Sequence, residues 1–510
     1  MNPFALKLFN RTATPYVETN AIKEKISHKA AAIAQRMFKA AMPSRLGGAW
    51  QLLPQPTNWV IRSSLRALRA RSREQWENNP YVKRFADLIA SNVVGHKGIL
   101  AHPNVKQADG TMDDRVNKLI HDAYTDWGQG RHCDVGKSLS FPDLQRLAVK
   151  TLAIDGEIFI RMYRDRSFKY GFAMQIIDPE FIDLLFEKKL PNGNYILQGI
   201  EYNKFNAPVA YHIYQPAPGD SYATYAPAGA GQYIRVPAEE MLHVFVPFRV
   251  DQRRGVPMTS NALNPLKMLD GYMEAAVVAA RVGASTMGFF HSVGGEQETI
   301  ADDKNPDGSL AFDAEPGTFR QLPNGVDVTA WKPDYPSTAF QPFVKTVLRQ
   351  VASGLGISYT SLSNDIESVN YSSIRQDALQ DRELYRVITD TLINRLIQPA
   401  YENWIQTQLM IGTLKLPRKT LMLDEVERYS PVRFAPRVFH SIDPIKDAQS
   451  RALEVINGLR SRSDVIRHEF GQEPDDVWAE IAQENKKMAA LGLSFDPNKQ
   501  NIVEQIKEDL

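Results

Sequence analysis

The sequence has little of three things that would each define a class of protein: cysteine, long apolar runs and an excess of one charge. Cys133 is the single cysteine in 510 residues, which excludes an internal disulfide and any cysteine-rich zinc site. The most apolar helical stretch, residues 275–280, is followed at once by Arg281, whereas a membrane span requires about 20 apolar residues. The N-terminus also lacks the uninterrupted apolar core of a signal peptide. We therefore expect a soluble protein of a reducing compartment with no membrane partner.

Charge is balanced over the whole chain but not along it. There are 60 lysines and arginines against 59 aspartates and glutamates, so the formal net charge is +1. Such a balance speaks against a protein that grips nucleic acid by bulk positive charge. Residues 1–75 nevertheless carry 13 basic residues against three acidic ones, and residues 462–510 carry six against eleven. The sequence thus predicts a basic N-terminal arm, a weakly charged centre and an acidic C-terminal end.

The periodicity of the apolar residues predicts an α+β protein that is mostly helical. The helix that begins near residue 63 carries four arginines at three- and four-residue spacing, which therefore share one face. They are Arg62, Arg66, Arg69 and Arg73. Strand-like segments between residues 157 and 247, separated by turn signals, predict an antiparallel sheet.

The second half of the chain alternates long helices with polar or Gly/Pro-rich segments. In order they are an alanine-rich helix over about 264–290, a Gly/Pro/Asp-rich segment over 291–336, a helix over 340–355, a polar stretch over 360–370 and a long helix from Ser372 or Ser373 to about residue 410. Pro399 is expected to kink this last helix, and Gly412 to end it. Its length predicts that it traverses a domain.

Two fragments resemble parts of a nucleotide hydrolase. Gly136-Lys137-Ser138 follows Gly130 like the end of a phosphate-binding loop, and Asp424-Glu425 looks like a magnesium-binding strand end. However, five residues separate the two glycines where the motif requires four, and a predicted helix precedes them instead of a strand. A turn and a surface linker are the favoured interpretations, and the hydrolase is kept as an alternative.

A group of carboxylates near the middle of the chain raises the question of a metal-dependent nuclease. The group comprises Asp155, Glu157, Asp178, Glu180 and Asp183. Magnesium uses one or two carboxylates at such sites, but Asp155-Gly156 at a helix–strand junction is also a turn signal, which we favour. The ten histidines show no paired spacing for zinc. We therefore predict no catalytic residue, no metal site and no cofactor.

A series of short motifs occurs in one order over about residues 60–485. It includes Asn78-Asn79-Pro80-Tyr81, Asp155-Gly156-Glu157, Ile177-Asp178-Pro179-Glu180 and Arg253-Arg254-Gly255-Val256-Pro257, with further segments at residues 66–73, 92–95, 199–202, 208–212, 243–245, 249–252, 348–358, 370–375 and 442–448. Each fragment alone is unspecific. Their co-linear order resembles the lambda family of phage portal proteins.

This resemblance implies a ring of about twelve subunits at one capsid vertex, through which double-stranded DNA is packaged and ejected. The implied parts are an N-terminal arm (1–60), an α+β wing (61–257), a stem helix (258–290), a clip (291–336), a second stem helix (337–356), a tunnel loop (357–371), a channel helix (372–412), a linker (413–440) and a helical crown (441–510). The implied partners are the terminase large subunit at the clip, major capsid and scaffold proteins, and head-completion or tail adaptor proteins. The expected location is the virion, with the host cytoplasm during assembly. A non-viral helical scaffold oligomer is a further alternative.

The resemblance also implies site residues. The tunnel loop would present hydroxyls, amides and carboxylates from Thr360, Ser361, Ser363, Asn364, Asp365, Glu367, Ser368 and Asn370. Because each phosphate neutralised by a cation adds affinity, a loop without lysine or arginine suits DNA that must slide. On the stem helices Arg281, Lys345 and Arg349 could face DNA, bridge neighbouring subunits or lie in solvent. The Arg62, Arg66, Arg69 and Arg73 face could meet capsid or scaffold proteins, with a solvated helix face as the alternative.

Overall fold

A computed structural model of the chain describes most residues between 54 and 492. The described ranges are 54–215, 232–284, 287–292, 303–304, 310–311, 326–331, 340–367, 369–417, 419–437, 439, 444–470 and 474–492. The predictions for residues 1–53, for most of the segment 291–336 and for residues 493–510 lie outside these ranges. Among the described helices, none has the length and apolar character needed to cross a membrane.

Helices dominate the regular structure, and every paired strand is antiparallel in the described ladders, which confirms the mostly helical α+β class. The helices are α1 (Thr57–Asn78), α2 (Pro80–Val93), α3 (Asp114–Gln129), α4 (Phe141–Asp155), α5 (Leu263–Ala284), α6 (Phe340–Leu355), α7 (Tyr359–Ser363), α8 (Tyr371–Leu392), α9 (Gln398–Ile411), α10 (Val426–Tyr429), α11 (Pro444–Ile456), α12 (Arg462–Phe470) and α13 (Pro474–Ala490). The strands are β1 (Leu100–Pro103), β2 (Glu157–Arg164), β3 (Phe172–Ile177), β4 (Lys188–Lys189), β5 (Tyr195–Leu197), β6 (Ile200–Tyr202), β7 (Pro208–Gln215), β8 (Gln232–Pro237), β9 (Met241–Phe245), β10 (Met287–Ser292), β11 (Asp303–Lys304), β12 (Leu310–Ala311), β13 (Val326–Trp331), β14 (Lys415–Leu416), β15 (Lys419–Thr420) and β16 (Val432–Ala435).

Asn79 separates the first two helices. Its side-chain oxygen accepts hydrogen bonds from the backbone N–H groups of Tyr81 (2.9 Å) and Val82 (3.4 Å), and Pro80 occupies the first turn of α2. A capping side chain and a proline together satisfy the free amides at a helix start. The predicted break at residues 78–80 is confirmed. Helix α2 then packs against α4 in the main hydrophobic core.

The two larger sheets among the described residues have the orders β3-β2-β9 and β4-β5-β6-β7-β8, and the other four sheets are two-stranded. Strand β2 lies between two apolar cores, since Ile158 and Ile160 belong to the main core and Phe159 to the core of the five-stranded sheet. Successive side chains of a strand point to opposite faces, so β2 is covered on both. In place of the one predicted antiparallel sheet there are therefore two, and β2 contributes side chains to the core of each.

The junction between α4 and β2 is a close backbone crossing. Gly156 has a φ of 86° and ends α4 in the left-handed conformation. A Cβ atom placed on Gly255 would lie 2.1 Å from the carbonyl oxygen of Gly156. The crossing thus leaves no space for a side chain at residue 255. It fixes β2 to the segment that leads into α5.

The alanine-rich helix is shorter than predicted. It ends at Ala284 instead of about Phe290, and residues 287–292 form strand β10, which pairs antiparallel with β13. The sequence Gly288-Phe289-Phe290 combines a helix-weakening glycine with two β-favouring aromatics, which explains the change. The predicted helix over residues 340–355 is confirmed as α6.

The longest helical segment comprises α8, a π-helical turn and α9. It begins one residue early, because Asn370 caps it by accepting a hydrogen bond from the N–H of Ser373 (2.8 Å). The predicted irregularity near Pro399 occurs as a π turn at Ile393–Ile397, just before this proline. Gly412 ends α9 with a φ of 66°, as expected.

The second half of this long segment is part of the protein core. Tyr401, Trp404 and Ile405 are completely buried, and Trp404 lies with its ring centroid 5.0 Å from that of Tyr124. Most of α9 is thus packed inside the chain, although Gln406 and Met410 remain exposed. The assignment of residues 372–412 as the channel helix stays a prediction.

Candidate functional site

The arginine face of α1 is turned largely toward the sheets of the same chain. Arg69 is only 1% exposed and pairs with the carboxylate of Glu157, while Arg73 donates to both Asp155 (2.7 Å) and Asp178 (2.9 Å). The prediction of a partner-facing basic surface is wrong for these two arginines. Helical spacing places residues on one face but does not say what covers that face.

The other two arginines of this face remain accessible. Arg62 lies 3.1 Å from Glu187 with 40% of its side chain exposed, and Arg66 is exposed. A surface ion pair of this kind contributes little to stability and leaves the guanidinium available. A role in partner contact therefore stays a prediction for Arg62 and Arg66 alone.

Glu157 is the centre of a buried ionic cluster. Its Oε1 accepts from Arg69 and from Nε of Arg254 (2.7 Å), and its Oε2 accepts from Nε2 of His243 (2.8 Å) and the N–H of Gly255 (2.8 Å). Burial by itself would raise the pKa of Glu157, but Arg254, Arg69 and His243 outweigh it and hold that pKa far below its usual range. Burial lowers the pKa of His243, which is therefore neutral near pH 7. The cluster joins α1, β2, β9 and the segment before α5.

Four of the five carboxylates that suggested a nuclease pair with these arginines, and the fifth, Asp183, accepts from the hydroxyl of Tyr233 (2.8 Å). Asp155 and Asp178 share Arg73, and Glu180 lies 3.4 Å from Arg69. Within the described residues, no group of three or more histidine, cysteine, aspartate or glutamate side chains could hold a metal ion. The favoured interpretation of Asp155-Gly156 as a turn agrees with the left-handed Gly156.

The fragment Gly136-Lys137-Ser138 lacks the surroundings of a phosphate-binding loop. Helix α3 precedes it, and the N–H groups of Ser138 (2.9 Å) and Leu139 (3.1 Å) donate to the carboxylate of Asp134. A carboxylate at the place of a phosphate would repel that phosphate. In the second fragment, Glu425 accepts from Lys419 (2.9 Å). Neither fragment therefore has the phosphate-binding or magnesium-binding arrangement on which the hydrolase alternative depends.

Replacing Lys137 with alanine tests that conclusion. We expect the variant and the wild type to hydrolyse ATP at the same background rate, since the loop binds its own aspartate. Because Lys137 is exposed, stability should change by no more than about 0.5 kcal/mol. ATP turnover by the wild type that is lost in Lys137→Ala would restore the hydrolase.

Residues 359–363 of the predicted tunnel loop form the short helix α7, and the assignment of residues 357–371 as the tunnel loop stays a prediction. The N–H and Oγ of Ser358 donate to Asp381 (2.8 and 2.9 Å), and Oγ1 of Thr360 donates to Asp377 (2.8 Å), both on α8. Leu362, within α7, is completely buried. These contacts anchor residues 358–363 to α8.

Arg84 on α2 holds the same segment from another side. Its Nε donates to the carbonyl of Ser361 (2.8 Å), and its Nη2 donates to Oδ1 of Asn364 (3.3 Å). Asn364 has a left-handed φ of 58° and ends α7. No sequence pattern pointed to Arg84 as an anchor of this segment, because 277 residues separate it from Ser361.

Lys345 pairs with the carboxylates of the loop. Its Nζ lies 3.0 Å from Asp365 and 3.6 Å from Glu367, and the hydroxyl of Tyr359 also donates to Asp365 (2.8 Å). Hydrogen bonds from Lys345 and Tyr359 lower the pKa of Asp365, which stays ionised at neutral pH. Of the two other stem cations, Arg349 lies over the ring of Tyr359 (5.6 Å to the centroid).

The predicted site residues thus separate into groups. Thr360, Asp365 and Glu367 line one cleft together with Lys345 and Arg349. Ser361 and Asn364 contact Arg84 instead, the hydroxyl of Ser363 donates to the carbonyl of Tyr359, and Asn370 caps α8. Arg281 is exposed near the far end of α5, and Ser368 lies outside the described residues. Ile366, which no motif singled out, is 66% exposed between Asp365 and Glu367.

Comparisons with known proteins show which proteins this chain is similar to. A family model described as phage portal protein, lambda family, matches residues 44–388. The chain is 32% identical over 463 residues to a probable portal protein of Halomonas phage phiHAP-1, covering 90% of this chain and 88% of that protein. It is 20% identical over 493 residues to portal protein B of Escherichia phage lambda, covering 86% and 89%. A solved structure described as the neck of an empty GTA particle covers 90% of this chain at 13% identity with a TM-score of 0.43.

The sequence matches define the class: the chain is a portal protein of a bacteriophage. Within that class it belongs to the lambda family of phage portal proteins, as the order of its motifs predicted. A portal protein is a structural component of the capsid and of the head–tail connector. The non-viral scaffold is thereby excluded.

Proposed function

We propose that copies of this chain form a closed ring of about twelve subunits at one capsid vertex, and that double-stranded DNA passes through its channel. The observation that carries the proposal is the segment at residues 357–371. It contains no lysine or arginine; of the cations beside it, Lys345 is paired with Asp365 and Glu367, and Arg349 lies over the ring of Tyr359. The segment itself offers phosphates no cation, so sliding DNA would release few counterions there and meet little resistance.

The proposed parts follow the order of the chain. Residues 61–257 form the wing, α5 and α6 the stem, residues 291–336 the clip, and residues 441–510 the crown. The channel wall would consist of the loop and the first half of the long helix, because α9 is buried in the core. The arm before residue 61, together with Arg62 and Arg66, would meet acidic capsid or scaffold surfaces.

The ring would work without a catalytic site of its own. The energy for packaging would come from a terminase whose large subunit docks on the clip, and head-completion or tail adaptor proteins would later occupy the same end. The protein would pass through the host cytoplasm during assembly. Each of these steps assigns the chain the role of a conduit and docking platform.

Replacing three loop residues with glycine tests whether the loop is needed for DNA to pass through the ring. In a variant with Ser363, Asp365 and Glu367 all changed to glycine, we expect normal rings, because these side chains are partly exposed and contribute little to the core. The loop would lose its ion pairs with Lys345, and the number of DNA-filled heads should fall several-fold in a packaging assay.

The matched control changes Gln107, Ala108 and Asp109 to glycine, since these residues also form an exposed polar turn but lie before α3. Rings and filled heads should both stay at the wild-type level. Equal packaging by the two triple variants would contradict the assignment of the loop.

A further inference from the structure

We propose that Ile366 is the residue of the loop that touches the passing DNA, so that the contact is apolar. This inference rests on the proposed function and names the point of contact within it. Three observations carry it: both ends of the loop are anchored, the carboxylates on either side of Ile366 are paired with the stem, and Ile366 itself is exposed.

The anchors restrict which residues can reach the channel. On one side, Arg84 binds Ser361 and Asn364, and Asp381 binds Ser358. On the other side, Asn370 is held as the cap of α8. Between these fixed points the described residues are 365–367 and 369, which we call the arch.

The charged side chains of the arch are engaged with α6. Asp365 and Glu367 both approach Nζ of Lys345, and Glu367 also accepts from Nε2 of Gln341 (3.4 Å). The side chain of Glu367 is itself 71% exposed, with its carboxylate in this ion pair, and the residue between the two carboxylates, the apolar Ile366, is 66% exposed. Its carbonyl accepts from the N–H of Val369 (3.4 Å), which closes a turn with Ile366 at its start. The arch therefore presents an aliphatic side chain between two carboxylates that are held by the stem.

An aliphatic contact suits a polymer that must move in both directions. A cation would neutralise phosphates and make binding steeply salt-dependent, and a free carboxylate would repel them. A β-branched side chain is also stiff about χ1, so it can define the width of an opening without binding. Ile366 would thus centre the DNA by steric contact.

Photo-crosslinking tests the point of contact in DNA-filled heads. The photoreactive residue p-benzoylphenylalanine is placed in the full-length chain at Ile366 or, as the matched control, at Ser372, which is also exposed. We expect crosslinking to DNA at residue 366 to exceed that at residue 372 several-fold. Crosslinks at 366 that reach only protein, or stronger DNA crosslinks at 372, would overturn the inference.

Two substitutions test the apolar character. Ile366→Lys should lower the yield of filled heads several-fold at low salt and less at high salt, because salt screens the added attraction to phosphates. Ile366→Val should package like the wild type. An unchanged yield and salt dependence in Ile366→Lys would overturn the inference while leaving the conduit intact. Wild-type protein that forms no rings or no filled heads would instead refute the proposed function.

Discussion

Glu157→Gln is expected to lower the free energy of unfolding by about 3–5 kcal/mol. The carboxylate is completely buried and pairs with two arginines that are themselves 1% and 0% exposed. A neutral amide keeps the shape of the side chain but leaves both guanidinium groups buried without a full counter-charge. Urea unfolding followed by tryptophan fluorescence measures the loss, since Trp127 and Trp404 are buried in the adjoining core.

Glu201→Gln is the matched control for this prediction. Glu201 is also buried, but its arginine partner, Arg235, is 50% exposed and would be solvated if released. We expect the control to cost much less, about 1 kcal/mol. Equal losses in the two variants would show that the buried cluster has no special role.

The same cluster gives stability a dependence on pH. The pKa of Glu157 is lowered by folding, so its contribution is fully present above its unfolded value near 4.5 and is lost as pH falls below it. The wild type should therefore lose stability in acid more steeply than Glu157→Gln, which has no carboxylate to protonate at this position. Parallel pH profiles of the two proteins would contradict this assignment.

Gly255→Ala is expected to destabilise the fold by about 3 kcal/mol or more, because the new methyl group would overlap backbone. Its Cβ would lie 2.1 Å from the carbonyl oxygen and 2.6 Å from the carbonyl carbon of Gly156. Neither atom can rotate away as a side chain could. We expect a large loss of soluble protein, and a much lower urea midpoint for any protein that is recovered.

Gly271→Ala is the control, and its expected change in stability has the opposite sign. Gly271 lies within α5, and an added Cβ there would meet nothing within 4 Å. Alanine in a helix interior is about 1 kcal/mol more favourable than glycine, so this variant should be slightly stabilised. A Gly255→Ala protein as stable as the wild type would mean that the crossing of β2 with the segment before α5 is looser than described.

Local signals in the sequence predicted much of the fold. Asn79-Pro80, Gly156 and Gly412 each mark a helix boundary through the chemistry of one or two residues, and the structure has a boundary at each of them. The strand at residues 287–292 was missed, because an alanine-rich helical pattern leads directly into it and its partner strand lies beyond residue 325. Local pattern cannot detect a pairing that depends on so distant a segment.

The site was predicted less completely than the fold, for a related reason. The polar composition of residues 360–370 indicated the loop, but its anchors come from Arg84 and Lys345, which are distant in sequence. For Arg69 the error was the opposite one, because a residue predicted to face partners is buried. It belongs to a regular basic face, yet its partner Glu157 is 88 residues away, and only the tertiary fold shows that this arginine is buried.

The most direct test of the proposed ring and its channel is electron cryomicroscopy of the purified full-length protein at a resolution that shows side chains. We expect a closed ring in which residues 364–367 of every subunit surround the narrowest part of a central channel, with α9 inside the body of each subunit. Monomers alone under assembly conditions, or a ring with residues 364–367 on its outer surface, would contradict it.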